Sequence, residues 1–118
     1  SWAAHSRDSR ALMPTIRWLD EALLEAEETA RYYAEIDIDL GGDLWSQVRK
    51  QIALYDRFPG AGVRVERVAD VDVRRFLTDR FPYAVVLARL EDELVVIALH
   101  HQHRKPGYWK RRLAKVLR

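Results

Sequence analysis

Six consecutive aliphatic residues, Leu94-Val95-Val96-Ile97-Ala98-Leu99, constrain this chain more than any other stretch. A run of that length suits a buried strand and falls far short of the roughly 20 apolar residues that a membrane-crossing helix needs. Just upstream, Tyr83–Leu90 reads as a second strong strand, and Glu91-Asp92-Glu93 is a compact polar turn between the two. The pair is expected to form a hairpin. Before it, Val63, Val65, Val68, Val71 and Val73 alternate with charges, a further β segment.

The first half of the chain has a different period. Thr15-Ile16-Arg17-Trp18 alternates as a short strand, and then Leu19, Ala22, Leu23, Ala26, Ala30, Tyr33 and Ala34 recur at spacings of three and four. That stripe predicts a helix with Asp20 and Glu21 in its first turn, where carboxylates complement the helix dipole. It should fade near Asp37 to Asp39. Gly41-Gly42 is read as the break and Asp43 as the N-cap of a second helix carrying Leu44, Val48, Ile52 and Tyr55, ending before Phe58-Pro59-Gly60. Two helices so closely joined form an antiparallel hairpin. Pro106 is placed in the first turn of a final helix with Leu113, Val116 and Leu117 as its contacts. The expected order is β-α-α-β-β-β-α: an α+β domain with a helical hairpin packed on a small antiparallel sheet.

At 118 residues, with 48% apolar and 32% charged residues, the chain is expected to form one domain and is not a disordered tail. It has no cysteine, which excludes disulfide scaffolds, thiolate metal sites and a thiol nucleophile, and fits a reducing cytosol. A net charge of +2 conceals an asymmetry. Nine acids and one base lie between Asp20 and Asp43; seven bases and no acid lie between Arg104 and Arg118. The basic end is suited to a polyanion, an acidic partner segment or the acidic end of its own fold, and charge alone does not choose. Residues 1–12 carry no sustained period and no secretory pattern. They read as an appended scar or short N-terminal extension before a start at Met13, with the domain proper at 13–118.

Several segments together resemble the RelE/ParE superfamily. They are the first helix with Ala30-Arg31-Tyr32-Tyr33-Ala34-Glu35-Ile36, Phe58-Pro59, Arg75-Phe76, Phe81-Pro82-Tyr83 opening a strand, and Val95 to Trp109 with its His-x-x-Arg-x-Pro-x-Tyr-Trp spacing. The likeness extends over residues 14–113. It implies a ParE-like fold, a cytoplasmic growth-inhibiting toxin of a type II toxin–antitoxin module, often described as plasmid stabilisation, and a cognate antitoxin wrapped over it. It implies no cofactor and no metal. Members divide by target: RelE-like ones cut mRNA on the ribosome without a metal, and ParE-like ones poison DNA gyrase.

Cutting RNA without a metal needs a base for the 2′-hydroxyl, cations on the phosphate and an acid for the leaving oxygen. Where RelE-like nucleases resemble this chain, the residue after the strand-opening tyrosine is basic; here it is Ala84. If the chain is a nuclease, Arg104, His103 and Tyr108 are the catalytic candidates. The preferred expectation is a ParE-like toxin that acts by binding, with a RelE-type endonuclease and a non-toxic binding relative as alternatives. Candidate target- or antitoxin-binding residues are Arg104, Lys105, Lys110, Arg111, Arg112, Trp109 and Tyr32, although Tyr108 and Trp109 read first as packing residues, since an aromatic pair anchors a helix start well. His100, His101 and His103 read first as polar residues finishing a strand, with His101 and His103 on one face. Arg74-Arg75 are exposed-face charges unless the sheet forms a groove. The opposite charges of the two ends also allow self-association into a homodimer, and no membrane partner is expected.

Overall fold

The computed structural model describes residues 15–117, so the expectations for residues 1–12 and Met13 lie outside the described residues. The elements are β1 (Thr15–Trp18), α1 (Asp20–Ile36), α2 (Ile38–Arg57), a 3-10 turn (Pro59–Ala61), β2 (Val63–Val68), β3 (Val71–Leu77), β4 (Tyr83–Leu90), β5 (Glu93–His101) and α3 (Lys110–Val116). The sheet runs β1-β5-β4-β3-β2. All neighbours are antiparallel except β1, which lies parallel to β5. The expected order holds, and the valine-rich segment resolves into two strands joined by a tight turn at Ala69-Asp70.

The helices join more tightly than the glycines suggested. The break falls at Asp37, whose extended backbone ends α1 and whose carboxylate accepts a hydrogen bond from the Asp39 N–H at 3.0 Å, capping α2. Gly41 and Gly42 lie inside α2. A Cβ on Gly41 would sit 2.9 Å from the Ala30 carbonyl oxygen and 3.0 Å from the Ala34 Cβ, so this glycine is a point of close helix–helix approach. Asp43, freed from capping, pairs with Arg80 at 3.2 Å.

The central hairpin is buried on both faces. From Ala84 to Ala88 and from Leu94 to His100 every residue is buried, although successive side chains point to opposite sides. Phe76 packs on Tyr55 of α2, and Tyr33 of α1 packs on Phe81 and Tyr83, so the helical hairpin covers that face. Trp109 and Leu113, at and inside the start of α3, complete the same core. The β4–β5 register shifts so that Val86 faces Ala98 but Leu87 faces Val96, leaving Ile97 in a bulge.

One asymmetry of the sheet positions the site. β1 accompanies β5 only from Glu93 to Val96, and the chain then turns away at Leu19, whose N–H bonds to the Val96 carbonyl at 3.1 Å. Among the described residues no strand lies beside the outer edge of β5 beyond Val96, and its backbone groups are satisfied there by other means.

Candidate functional site

The open edge of β5 is closed by side chains, and Glu25 of α1 is their centre. Its carboxylate accepts five hydrogen bonds: from the Leu99 N–H (3.1 Å), from both terminal nitrogens of Arg112 (2.7 and 2.9 Å), from the Tyr108 hydroxyl (2.7 Å) and from Arg104 (3.2 Å). Arg112 also donates to the Ile97 carbonyl at 3.2 Å. A carboxylate, a forked guanidinium and a phenol thus take the place of a neighbouring strand. The Glu25 side chain is 16% exposed and that of Arg112 13%, so the pair is well shielded, whereas Arg104 is 52% exposed. The Arg104 guanidinium lies over the Tyr108 ring, 3.4 Å from its centre.

These contacts shift two of the groups. Burial, reinforced by the Glu25 carboxylate that accepts its hydrogen bond, holds the Tyr108 phenol well above its usual range. Burial alone would lower Arg112, but its hydrogen bonds to Glu25 and the negative charge there outweigh this and raise it. Tyr108 therefore stays protonated as a donor and Arg112 stays charged.

The sequence candidates separate into four groups. Arg104, Tyr108 and Arg112 meet at Glu25. Trp109, expected on a binding face, is 1% exposed and belongs to the core, so it has no surface to offer a partner. Lys105, Lys110, Arg111 and Tyr32 are exposed, and Tyr32 stands edge-on to Tyr33 at 5.1 Å. His103 lies past the end of β5, in a turn, rather than on a shared strand face; its N–H donates to Nδ1 of His101 at 3.0 Å. His100 is buried, with Nε2 bonded to the Arg104 carbonyl at 3.0 Å and its ring against Tyr108. α3 begins at Lys110 and not at Pro106, because Gly107 holds a left-handed backbone (φ +80°) that interrupts a helix.

A second feature lies on the sheet face away from the helical hairpin. Arg75, Leu77, Ala84, His100 and Gln102 line a shallow groove of about 320 Å³. Its floor is Ala84, and the buried Nε of half-buried Arg75 has no hydrogen-bond partner among the described residues. A third is apolar: Ile16, Trp18, Leu23, Trp45, Ile52 and Leu94 shape a depression of about 600 Å³ between β1 and the helices. Glu25 is not singled out by the sequence, whereas Arg75, read there as an exposed-face charge unless the sheet forms a groove, lines one. Glu25 is one acid among nine, and only its position on α1 facing β5 distinguishes it. Among the described residues, no three His, Asp or Glu side chains gather as a metal site, and no helix is long and apolar enough to cross a membrane.

No protein-family model matches the chain, and no curated protein does. Among solved structures, a chain of the chromosomal ParDE TA system from P. aeruginosa matches with a TM-score of 0.60, over 76% of this chain and 97% of that one, at 14% identity. The fold is ParE-like. Within the ParE-like fold, the basic C-terminal segment is anchored from beneath by Glu25 and presents Arg104 at its rim, while Ala84 leaves the sheet groove without a cation from β4.

Proposed function

We propose that this chain is the toxin of a bacterial type II toxin–antitoxin module. It acts in the cytoplasm by binding a target such as DNA gyrase, and a cognate antitoxin neutralises it. The ParE-like fold supports the toxin reading, and the observation that carries binding over hydrolysis is the commitment of Tyr108 and Arg104 to Glu25. A phenol held protonated and bonded to a carboxylate is poorly placed to take a proton from a 2′-hydroxyl. The His103 N–H is bonded to Nδ1 of His101. Arg104, half exposed and stacked on Tyr108, remains suited to meet an acidic group on the target, with exposed Lys105 next to it in sequence and Arg111 exposed on α3. The apolar depression at Trp18 and Trp45 is the surface that an antitoxin segment would cover.

A ribosome-dependent endonuclease is the second reading, favoured by one observation: Nε of Arg75, in the same groove as His100, has no hydrogen-bond partner among the described residues. Against it stand Ala84 on the groove floor and the hydrogen bond that already occupies His100. The test is to induce the chain in cells without an antitoxin and follow growth, 5′ ends of mRNA and a DNA-damage reporter together. Arrest with a reporter response and intact mRNA is expected. Arrest with codon-phased cuts would replace binding by hydrolysis, and free growth with soluble protein would leave a non-toxic relative.

A further inference from the structure

We propose that the groove on the sheet face away from the helical hairpin is a carboxylate-binding site organised by Arg75. The proposal rests on the groove alone and stands whether or not the chain is a toxin. Side chains of β3 alternate, so Asp72 and Arg74 share a face with Phe76, which packs on Tyr55 of α2, while Arg75 and Leu77 share the other. Asp72, the acid of β3, therefore stands on the wrong face for Arg75, and it is already bonded to Arg74 at 3.2 Å and paired with Arg64 at 3.4 Å. The Nε of Arg75 is buried, and no described residue accepts a hydrogen bond from it or pairs with the terminal nitrogens. Shielding part of a guanidinium without an acceptor costs free energy. A carboxylate lying in the groove supplies that acceptor.

The lining sets the class of ligand. Of Arg75, Leu77, Ala84, His100 and Gln102, which shape about 320 Å³, Arg75 is the one fixed charge. His100 is bonded through Nε2 to the Arg104 carbonyl, which only accepts, so Nε2 carries the proton and in the neutral ring Nδ1 is an acceptor. Gln102 contributes a neutral amide. One guanidinium balances one monoanion, and paired N–H groups along its edge match the two oxygens of a carboxylate. A chain of phosphate diesters calls for several cations in a row, or for aromatic faces on which bases stack. The groove lining has one cation and, apart from His100, no ring. Leu77, which is 49% exposed, and the methyl group of Ala84 offer apolar contact to a methylene stem instead. Two sources carry such a group: a glutamate side chain on a protein segment laid across the sheet, or a small aliphatic acid.

The test is a titration of the full chain followed by proton–nitrogen NMR, with acetate, with an end-blocked peptide carrying a single glutamate between alanines, and with inorganic phosphate. The Arg75 Nε–H, the Ala84 N–H and the Gln102 side-chain amide are expected to shift with both carboxylates, with a dissociation constant of about 10 mM or tighter. A peptide that binds roughly tenfold tighter than acetate identifies a protein segment as the source, and equal constants identify a small acid. Arg75→Gln is expected to weaken binding roughly tenfold or more. Because it removes a partly shielded charge that has no partner among the described residues, it should also melt no lower than the native chain. Arg67→Gln, exposed on β2 and outside the groove, should leave the constant unchanged. Carboxylates that shift none of these signals, or a constant that Arg75→Gln does not move, would overturn the proposal. So would an Arg75→Gln chain that melts markedly lower, since Arg75 would then serve the fold. Phosphate bound as tightly as either carboxylate would overturn it too, and would return the groove to the nuclease reading.

Discussion

Replacing Glu25 by alanine should cost more than any other single change at the surface of α1, and the structure indicates how much. The substitution strands Arg112, whose side chain is 13% exposed, and removes two bonds of 2.7 and 2.9 Å to it. Removing one partner of a shielded ion pair costs about 3–5 kcal/mol, because the remaining charge is left unpaired. The Leu99 N–H loses its acceptor as well. Domains of this size are stable by about 5–15 kcal/mol, so the loss is a large fraction of the whole. Arg104 is bonded to the same carboxylate, but its side chain is 52% exposed, and a pair so well solvated contributes about 1 kcal/mol or less. Urea unfolding followed by tryptophan fluorescence, run as two double-mutant cycles, separates the contributions. The Glu25–Arg112 coupling should reach about 2–3 kcal/mol and the Glu25–Arg104 coupling should stay below about 1 kcal/mol. Equal couplings, or a Glu25→Ala loss under about 1 kcal/mol, would refute the view that Glu25 and Arg112 together seal the β5 edge.

Three further outcomes are expected. Gly41→Ala should destabilise by about 1–3 kcal/mol by forcing α1 and α2 apart, whereas Gly42→Ala, where a Cβ meets nothing within 4 Å, should stabilise by about 0.5–1 kcal/mol; thermal melts of the two compare them directly. Ala69 and Asp70 both hold left-handed backbones (φ 49° and 66°) in the two-residue turn between β2 and β3, so Ala69→Asn or Asp70→Gly should each raise stability by about 0.5–1 kcal/mol, and no gain would mean the turn is not under strain. Stability should fall as pH rises past 10.0, the usual tyrosine value, because Tyr108 in the unfolded chain ionises there while the folded protein keeps its proton. Tyr108→Phe should flatten that alkaline slope without abolishing it, since burial also raises Tyr55, and an unchanged slope would show that Tyr108 is not the group responsible.

Local pattern made much of the fold legible. The aliphatic run of β5, the polar turn before it and the three-and-four spacing of α1 and α2 are signals carried by neighbouring residues, and the elements stand where those signals place them. The errors have a common origin in contacts that sequence spacing does not contain. Gly41-Gly42 has the composition of a break, yet Gly41 serves packing against Ala30 and Ala34 of another helix. Trp109, read first as a packing residue and also as a binding candidate among lysines and arginines, is 1% exposed, so the packing reading holds and the binding one does not. His103 was placed on a strand that stops two residues earlier.

The candidate site divides in the same way. Arg104, Tyr108 and Arg112 were visible as a basic and aromatic cluster, but nothing in the sequence sets Glu25, 79 positions away from Arg104, apart from the other acids of α1. Periodicity and composition by themselves determined which segments are helix or strand, which faces are apolar, and that the two ends of the chain carry opposite charge. Only the tertiary structure decided how those charges are used. By ending β1 at Trp18, the fold leaves an edge of β5 whose backbone groups need partners. It brings α1 and α3 to that edge from distant parts of the chain, and burial then makes one carboxylate the anchor for two arginines and a tyrosine while its neighbours remain solvated.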